Sequence, residues 1–159
     1  MPIKQFNKLL SKVQFLHAAT VNPDNTPNTA PKLILKVDDK HIYLVDCAIG
    51  KTFKNLKRDH RVSLSFVNEE TLKGYQINGL AEVLEADAIT KELHKELQEK
   101  EIALTVRRVV KGIHESKRHD DFEVGMSDRL TIFKISLLEV VEIGYKGKLT
   151  RKRFGDLEF

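Results

Sequence analysis

Gly50, Lys51 and Thr52 stand between a strand-like apolar stretch, 41–46, and the first turn of a predicted helix. Glycine lets the backbone turn sharply, and the first N–H groups of a helix lack intrahelical partners and lie at the positive end of its dipole. Together with an ammonium and a hydroxyl group, these amides would bind a phosphate. The motif is not a P-loop, because Val45 occupies the position of that motif's first glycine. A plain helix start with a solvated lysine is the open alternative.

Other reactive side chains give weaker indications of chemistry. Cys47 is the single cysteine, so the chain forms no internal disulfide, which agrees with a reducing compartment. A small half-buried residue at a strand end is favoured over a nucleophile, because free cysteine usually packs as a small hydrophobe. His17 and His41 lie in or beside strands and are interpreted as structural residues. No Ser-His-Asp set or carboxylate pair stands out.

A metal site is a further hypothesis, because three histidines and two acids occur within 94–120. His114 and His119 are five residues apart, which does not place two ligands on one helical face. Solvated residues are therefore favoured, and no metal is predicted. The members of this set are His94, His114, Glu115, His119 and Asp120.

Composition is that of an ordinary globular protein. The 159 residues are 41% hydrophobic and 31% charged, and 27 Lys and Arg against 23 Asp and Glu give a net charge of +4. This length suits one domain with its own core. No apolar run approaches the roughly 20 residues of a membrane span, and no signal peptide is recognised, so we expect a cytoplasmic protein that does not enter membranes. The mild positive charge suits an anionic small ligand as well as nucleic acid.

Basic clusters at 107–108, 117–118 and 146–153 keep a nucleic-acid-binding barrel as a remote alternative. The predicted strands lack the interleaved surface aromatic residues on which bases would stack. Solvated charge or dimer contacts are therefore favoured for these clusters.

The elements that position the phosphate seat follow from periodicity. Apolar residues at helical spacing predict a short amphipathic helix at 3–12. Alternation and turn residues then predict hairpin-linked strands. They cover 15–21, 30–37, 41–46, 61–67 and 74–85. Pro31 indicates that its strand begins, bends or lies at an edge, and Gly79 indicates a bulge or a close approach of another backbone.

The second half of the chain changes pattern. Helical spacing over 87–119 predicts two helices, because the apolar stripe changes phase near Ile102, and 130–145 predicts one long or two shorter strands. This order of elements favours a mainly β (α+β) fold, an antiparallel sheet closed or nearly closed into a barrel with helices against one side. We expect a single domain over 1–159 with a helical insertion at about 87–119.

Four segments, 20–32, 46–56, 61–66 and 75–82, in this order, resemble the pyridoxamine 5′-phosphate oxidase-like family of FMN-binding split β-barrels. The likeness extends over positions 13–85. It implies an FMN-binding split barrel with peripheral helices, and a homodimer with FMN at the subunit interface. A deazaflavin or FAD is the alternative cofactor.

The resemblance also implies a set of cofactor-binding residues. The flavin-contacting strand corresponds to Pro31, Lys32, Leu33 and Ile34, and the strand end beside the ring corresponds to Val45 and Asp46. The phosphate-binding turn corresponds to Gly50, Lys51, Thr52 and Asn55, with a hydroxyl in place of the second cation of the family. Gln76 lies on the strand that supplies a flavin-contacting glutamine, but two residues later than the family's spacing.

Vitamin oxidation is disfavoured, because the family's oxidases end in a tryptophan-bearing segment, and this chain has no tryptophan and ends differently at 148–155. The resemblance predicts an FMN-dependent oxidoreductase or flavin reductase that uses a small-molecule electron donor and acceptor. No catalytic residue is identified, since the flavin carries the redox chemistry. A non-enzymatic FMN carrier or electron-transfer protein is the alternative.

Overall fold

The structure, a computed structural model, describes residues 3–46, 50–115 and 130–154. Cys47, His119 and Asp120, about which the sequence made predictions, lie outside the described residues. The α-helices and strands are, in chain order, α1 (Ile3–Leu10), β1 (Phe15–Val21), β2 (Pro27–Val37), β3 (His41–Asp46), α2 (Lys51–Arg58), β4 (Arg61–Asn68), β5 (Lys73–Leu84), α3 (Lys91–Glu115), β6 (Thr131–Ile143) and β7 (Leu149–Arg153), and one turn of 3-10 helix (Ala86–Ala88) precedes α3. None of the described helices is both long and apolar enough to span a membrane.

The strands form one antiparallel sheet in the order β3-β2-β1-β4-β5-β6-β7. A further pairing between β3 and β6 closes the first six strands into a barrel. β3 pairs with residues 131–136 of β6. β7 pairs with residues 139–143 along the same edge of that strand. The predicted mainly β fold with an antiparallel split barrel is confirmed.

The barrel interior is filled by alternate residues of each strand, as the period of a β-strand requires. Inward residues of β4 are Val62, Leu64 and Phe66, which were the clearest strand signal in the sequence. The amphipathic helix α1 covers one end, where Phe6 packs against Phe66 and Tyr75 with ring centroids 6.4 and 6.1 Å apart. This end of the barrel is therefore closed by apolar contacts.

Gly79 lies at a register shift between β5 and β6. A Cβ atom there would come within 2.5 Å of the Ser136 carbonyl oxygen, so only glycine fits without displacing the backbone. The predicted bulge and close approach at this position are confirmed.

The prediction of two helices within 87–119 is wrong, because α3 is one continuous helix of 25 residues. Its first half packs on the outside of β2 and β3 through Leu93 and Leu97, which are 7% and 8% exposed. Farther along, Ile102 and Val106 are 63% and 55% exposed. The phase change near Ile102 therefore marks the point where the apolar residues move to another side of α3, and the helix continues beyond it.

The closing segment forms one long strand, β6, followed by a hairpin to β7 that the sequence analysis did not predict. β7 is a short strand at the sheet edge, and most of its residues are basic or polar. Because apolar and polar residues do not alternate along it, the sequence pattern does not indicate a strand there. Its arginines face one carboxylate, since Arg151 and Arg153 each lie 3.6 Å from Glu139.

Candidate functional site

A buried polar network holds the first turns of α2 against β1 and β2. The Asn55 Nδ2 amide donates to Thr20 Oγ1 and to Asn22 Oδ1, both at 3.0 Å. The Asn28 amide donates to Thr20 Oγ1 at 3.1 Å and to Thr52 Oγ1 at 3.2 Å. Each buried hydroxyl thus has a partner, which offsets the cost of burying it. The network fixes the position of the helix start relative to the sheet.

The helix start itself is exposed and positively charged. Gly50 is the N-cap residue with extended backbone (φ −101°, ψ −160°), and no side chain among the described residues caps the first amides of α2. Lys51 is exposed and forms no ion pair with any described residue. By contrast, Lys57 of the same helix pairs with Glu85, and Arg58 donates to the Val21 carbonyl oxygen. Within the part of the chain that the structure describes, this end of α2 therefore combines amides that no side chain caps with a cation that has no ion pair.

One carboxylate lies near this cation. Hydrogen bonds from the Thr26 hydroxyl and amide, at 2.6 and 3.0 Å, lower the pKa of Asp24, and the charge of Lys51 acts weakly in the same direction. The Asp24 carboxylate already accepts two hydrogen bonds from Thr26 within the same turn. The Lys51 ammonium therefore stays available to bind an anion.

Lys32 and Asp46 form an ion pair inside the barrel. They are 9% and 4% exposed, and the Lys32 Nζ atom lies 2.7 Å from Asp46 Oδ1. Lys32 is register partner of the core residue Leu16, so its side chain has the same inward direction. The ammonium also lies 6.0 Å from the centre of the Phe133 ring. Neither side chain is directed to the outer surface, although both belong to the predicted cofactor set.

The remaining predicted strand residues divide between the two faces of the sheet. Ile34 belongs to the barrel interior, whereas Leu33 and Val45 lie on the outer face beneath α3. Pro31 is exposed and is the register partner of His17 on β1. The described pairing of β2 with β3 begins at Leu33, so an edge position for Pro31 stays a prediction.

Gln76 is not brought to the α2 network. It lies on the outer face of β5, where its amide donates to Ser63 Oγ at 3.4 Å and to Asn78 Oδ1 at 3.2 Å. There it lines an open groove of about 590 Å³ together with His17 and Phe15. His17 is exposed, whereas His41 contacts Asp38 with Nδ1 at 3.1 Å from Oδ1. Among the described residues, no three His, Cys, Asp or Glu side chains cluster as metal ligands.

Thr20, Asn22 and Asn28 are site residues that the sequence analysis missed. Thr20 and Asn28 are cross-strand partners in the hairpin of β1 and β2. A signal was present in the sequence, because Thr20 is a polar residue at an inward position of an apolar strand, two residues after the core residue Ala18. Such a residue needs a buried partner.

Comparisons with known proteins identify the family of the chain and its fold. A family model described as pyridoxamine 5′-phosphate oxidase matches residues 3–125. No curated protein matches the chain.

Solved structures share the fold at low sequence identity. One is a protein related to general stress protein 26 of the pyridoxinephosphate oxidase family from Clostridium acetobutylicum, with TM-score 0.65 and 17% identity, covering 95% of this chain and 93% of that one. A pyridoxamine 5′-phosphate oxidase-related, FMN-binding protein from Nostoc punctiforme has TM-score 0.55 and 13% identity, with coverages of 97% and 93%. An F420 reductase has TM-score 0.55 and 15% identity, with coverages of 80% and 88%.

Proposed function

The chain belongs to the pyridoxamine 5′-phosphate oxidase family, and on this premise we propose that it binds FMN and acts as an FMN-dependent oxidoreductase on a small substrate. The proposal includes a cytoplasmic homodimer with FMN at the subunit interface. It is supported by the FMN-binding neighbour from Nostoc punctiforme, while the F420 reductase neighbour keeps a deazaflavin as an alternative cofactor.

The observation that carries the proposal is the start of α2. A flavin phosphate needs hydrogen-bond donors and positive charge in a fixed position. Gly50 has no side chain with which to cap the first amides, and the Lys51 ammonium is exposed without an ion pair among the described residues. The residues present therefore fit an FMN phosphate, although one cation is replaced by a hydroxyl.

The other residues of the set have supporting tasks in this proposal. Thr52 and Asn55 are buried and hydrogen-bonded, so they orient the helix start and do not contact the phosphate through free side chains. Lys32 and Asp46 hold β2 and β3 together from inside the barrel. Contact with the flavin ring at these two positions would therefore use the main chain. The bound flavin would accept and donate electrons, and the protein would position it.

A dimer gives Gln76 a role that one subunit does not. Gln76 lines an open groove on the outer face of β5, and its described side-chain hydrogen bonds are with neighbours on that face. We place this face in the proposed subunit interface, where Gln76 would approach the flavin bound by the partner subunit.

A non-enzymatic FMN carrier or electron-transfer protein is the second candidate. The eleven predicted cofactor residues include a single acidic side chain, Asp46, and no histidine. Asp46 is buried and paired with Lys32. Apart from Lys51, which the proposal assigns to the phosphate, the set thus offers no accessible acid or base for proton transfer, which favours the carrier over enzymes that need one.

The first experiment tests cofactor and assembly. The purified protein is incubated with FMN, separated from free ligand and examined by absorbance and light scattering. We expect a yellow dimer that releases FMN on denaturation. A colourless monomer after FMN incubation would refute the proposal, and a colourless protein that shifts an oligonucleotide would favour the nucleic-acid alternative.

The second experiment separates enzyme from carrier. The loaded protein is mixed anaerobically with NADH, NADPH or a reduced deazaflavin, and bleaching of the flavin is followed. Bleaching faster than that of free FMN under the same conditions supports the oxidoreductase. If no donor exceeds the rate of free FMN, the oxidoreductase fails and the carrier is supported.

A further inference from the structure

A small cavity lies where the middle of α3 faces the segment that joins α1 to β1. Its volume is about 160 Å³, and three cationic side chains line it, those of Lys12, Lys100 and Arg107. The polar residues Ser11 and Gln14 complete its hydrophilic side. No carboxylate lines the cavity in the described part of the chain.

Two of the three cations, Lys100 and Arg107, repel each other. Arg107 Nη1 donates to Gln14 Oε1 at 2.9 Å, which ties the guanidinium to another residue of the cavity lining. Burial and then repulsion by Arg107 lower the pKa of Lys100. A cationic group whose surroundings disfavour its charge gains most from an anion bound beside it.

Two glutamates in the middle of α3, Glu96 and Glu99, have other cationic partners. Glu96 lies 3.4 Å from Lys36 on β2, and Glu99 lies 3.9 Å from Lys95. Within the described residues, no carboxylate is at ion-pair distance from any of the three cations. Among the described side chains, the positive charge of the cavity is therefore not neutralised.

We propose that this cavity binds a small oxyanion of two negative charges, either inorganic phosphate or the terminal phosphate of a small phosphomonoester. A tetrahedral oxyanion can accept two parallel hydrogen bonds from a guanidinium and single ones from the lysines. The cavity holds only about five times the ~30 Å³ share of one water in the liquid. It is below the ~300 Å³ from which cofactor pockets begin, so the ligand is a phosphate group and not a flavin.

Binding there would link two parts of the fold. Lys12 follows α1, which closes one end of the barrel, while Lys100 and Arg107 belong to the helix that covers Leu33 and Val45. An anion shared by them would fasten the middle of α3 to the barrel. This site is independent of the proposed flavin site, because it shares no residue with it.

The test is titration with inorganic phosphate at constant ionic strength, with chloride as the compensating anion, followed by calorimetry and by thermal unfolding. The wild type should bind phosphate and unfold at a higher temperature with it. Lys100→Gln and Arg107→Gln should each weaken binding about tenfold or more, the loss expected for a charge-assisted contact. Lys95→Gln removes the same charge from an exposed position of the same helix and should bind phosphate as the wild type does.

Without phosphate, Lys100→Gln should unfold at a higher temperature than the wild type, because it removes the repulsion. With phosphate, it should lose the further stabilisation. A lysine with a merely structural role would give neither result. Arg107→Gln gives an independent measure of binding if one variant folds poorly.

Titration of the Lys51→Ala variant separates this cavity from the start of α2. The proposal predicts that this variant still binds phosphate, and loss of all phosphate binding in it would overturn the proposal. Unchanged binding in both cavity variants, or equal stabilisation by chloride alone, would also overturn it. Tighter binding of glycerol phosphate than of inorganic phosphate would identify a phosphomonoester as the ligand, and the reverse order would identify the free anion.

Discussion

The helices α2 and α3 both pack against β2, but with different chemistry. α2 places Leu56 in the barrel core and, unlike α3, also contacts β1 and β2 through buried polar groups, Thr52 and Asn55, which bond Asn28 and Thr20. α3 contacts β2 and β3 through apolar side chains, including Leu93 and Leu97. Apolar contacts are non-directional, so they stabilise a helix without fixing its orientation closely. Hydrogen bonds have narrow geometry, and the structure uses them at the helix whose start we propose to hold a phosphate.

This comparison predicts that the loss of a contact of α3 and the loss of a contact of α2 affect different properties of the protein. Loss of an apolar contact of α3 should mainly reduce stability. Loss of a hydrogen bond of α2 should reduce stability less and cofactor affinity more.

Leu93→Ala should have the largest effect on stability. It removes a buried side chain from the apolar cluster under α3, and we expect the free energy of unfolding to fall by about 2–5 kcal/mol. The affinity of the folded fraction for FMN should not change. Urea unfolding and FMN titration measure the two quantities.

Ile102→Ala is the matched control, because Ile102 lies on the same helix but is 63% exposed. Its cost should stay within about 0.5 kcal/mol. A loss as large as that of Leu93→Ala would contradict the assignment of two different apolar sides to this helix.

Asn55→Ala should have an intermediate effect on stability. It removes the donor of two hydrogen bonds from a residue that is 2% exposed, so we expect a loss of about 1–3 kcal/mol. The dissociation constant for FMN should rise, since the helix start is no longer held in place. The neighbouring exposed Lys54 can be replaced by alanine to test whether any change in α2 has this effect on stability. If Asn55→Ala leaves FMN affinity at the wild-type value, the network is not a positioning device.

Asp59→Asn should have the smallest effect, at the other end of α2. Hydrogen bonds from the Arg61 side chain and then from its amide lower the pKa of Asp59 from 3.8 to about 2. A carboxyl group with a lowered pKa contributes stability above its unfolded pKa and loses it as the pH falls from 3.8 towards 2. Because the pair is largely exposed, we expect a contribution below about 1 kcal/mol.

The measurement is acid unfolding of the wild type and the Asp59→Asn variant. The difference in stability between them should be constant near neutral pH and should disappear between about pH 4 and pH 2. A difference that persists at pH 2 would mean that the ion pair is not its source.

Much of the fold was predictable from the sequence, because strand alternation and turn residues are local signals. The strict alternation of Val62, Leu64 and Phe66 predicted β4, and Gly79 predicted the bulge in β5. The continuity of α3 was not predictable in this way, since a helix with apolar residues on two sides has the same local pattern as two helices. β7 was missed because its residues are basic and mostly exposed.

The candidate site was predictable only in part. The start of α2 was found from three adjacent residues, whereas the network beneath it joins positions 33 and 35 residues apart. The pairing of Lys32 with Asp46 depends on the register of β2 and β3, which local patterns do not give. Without that register, Lys32 appeared available for the cofactor. The structure instead directs its ammonium into the barrel.

The central claim is that the start of α2 holds the phosphate of a flavin, and a comparison of FMN with riboflavin tests it most directly. The two ligands differ only in the phosphate group. Affinities are measured by fluorescence titration for the wild type, Lys51→Ala and Lys57→Ala. Lys57 is the control, because it is an exposed cation of the same helix that already pairs with Glu85.

We expect Lys51→Ala to raise the dissociation constant for FMN by roughly ten- to a hundredfold, the loss of a charge-assisted contact of about 1.5–3 kcal/mol. Its affinity for riboflavin should remain that of the wild type, and Lys57→Ala should change neither ligand. An equal loss of affinity for FMN and riboflavin in Lys51→Ala, or no loss for either, would contradict the account.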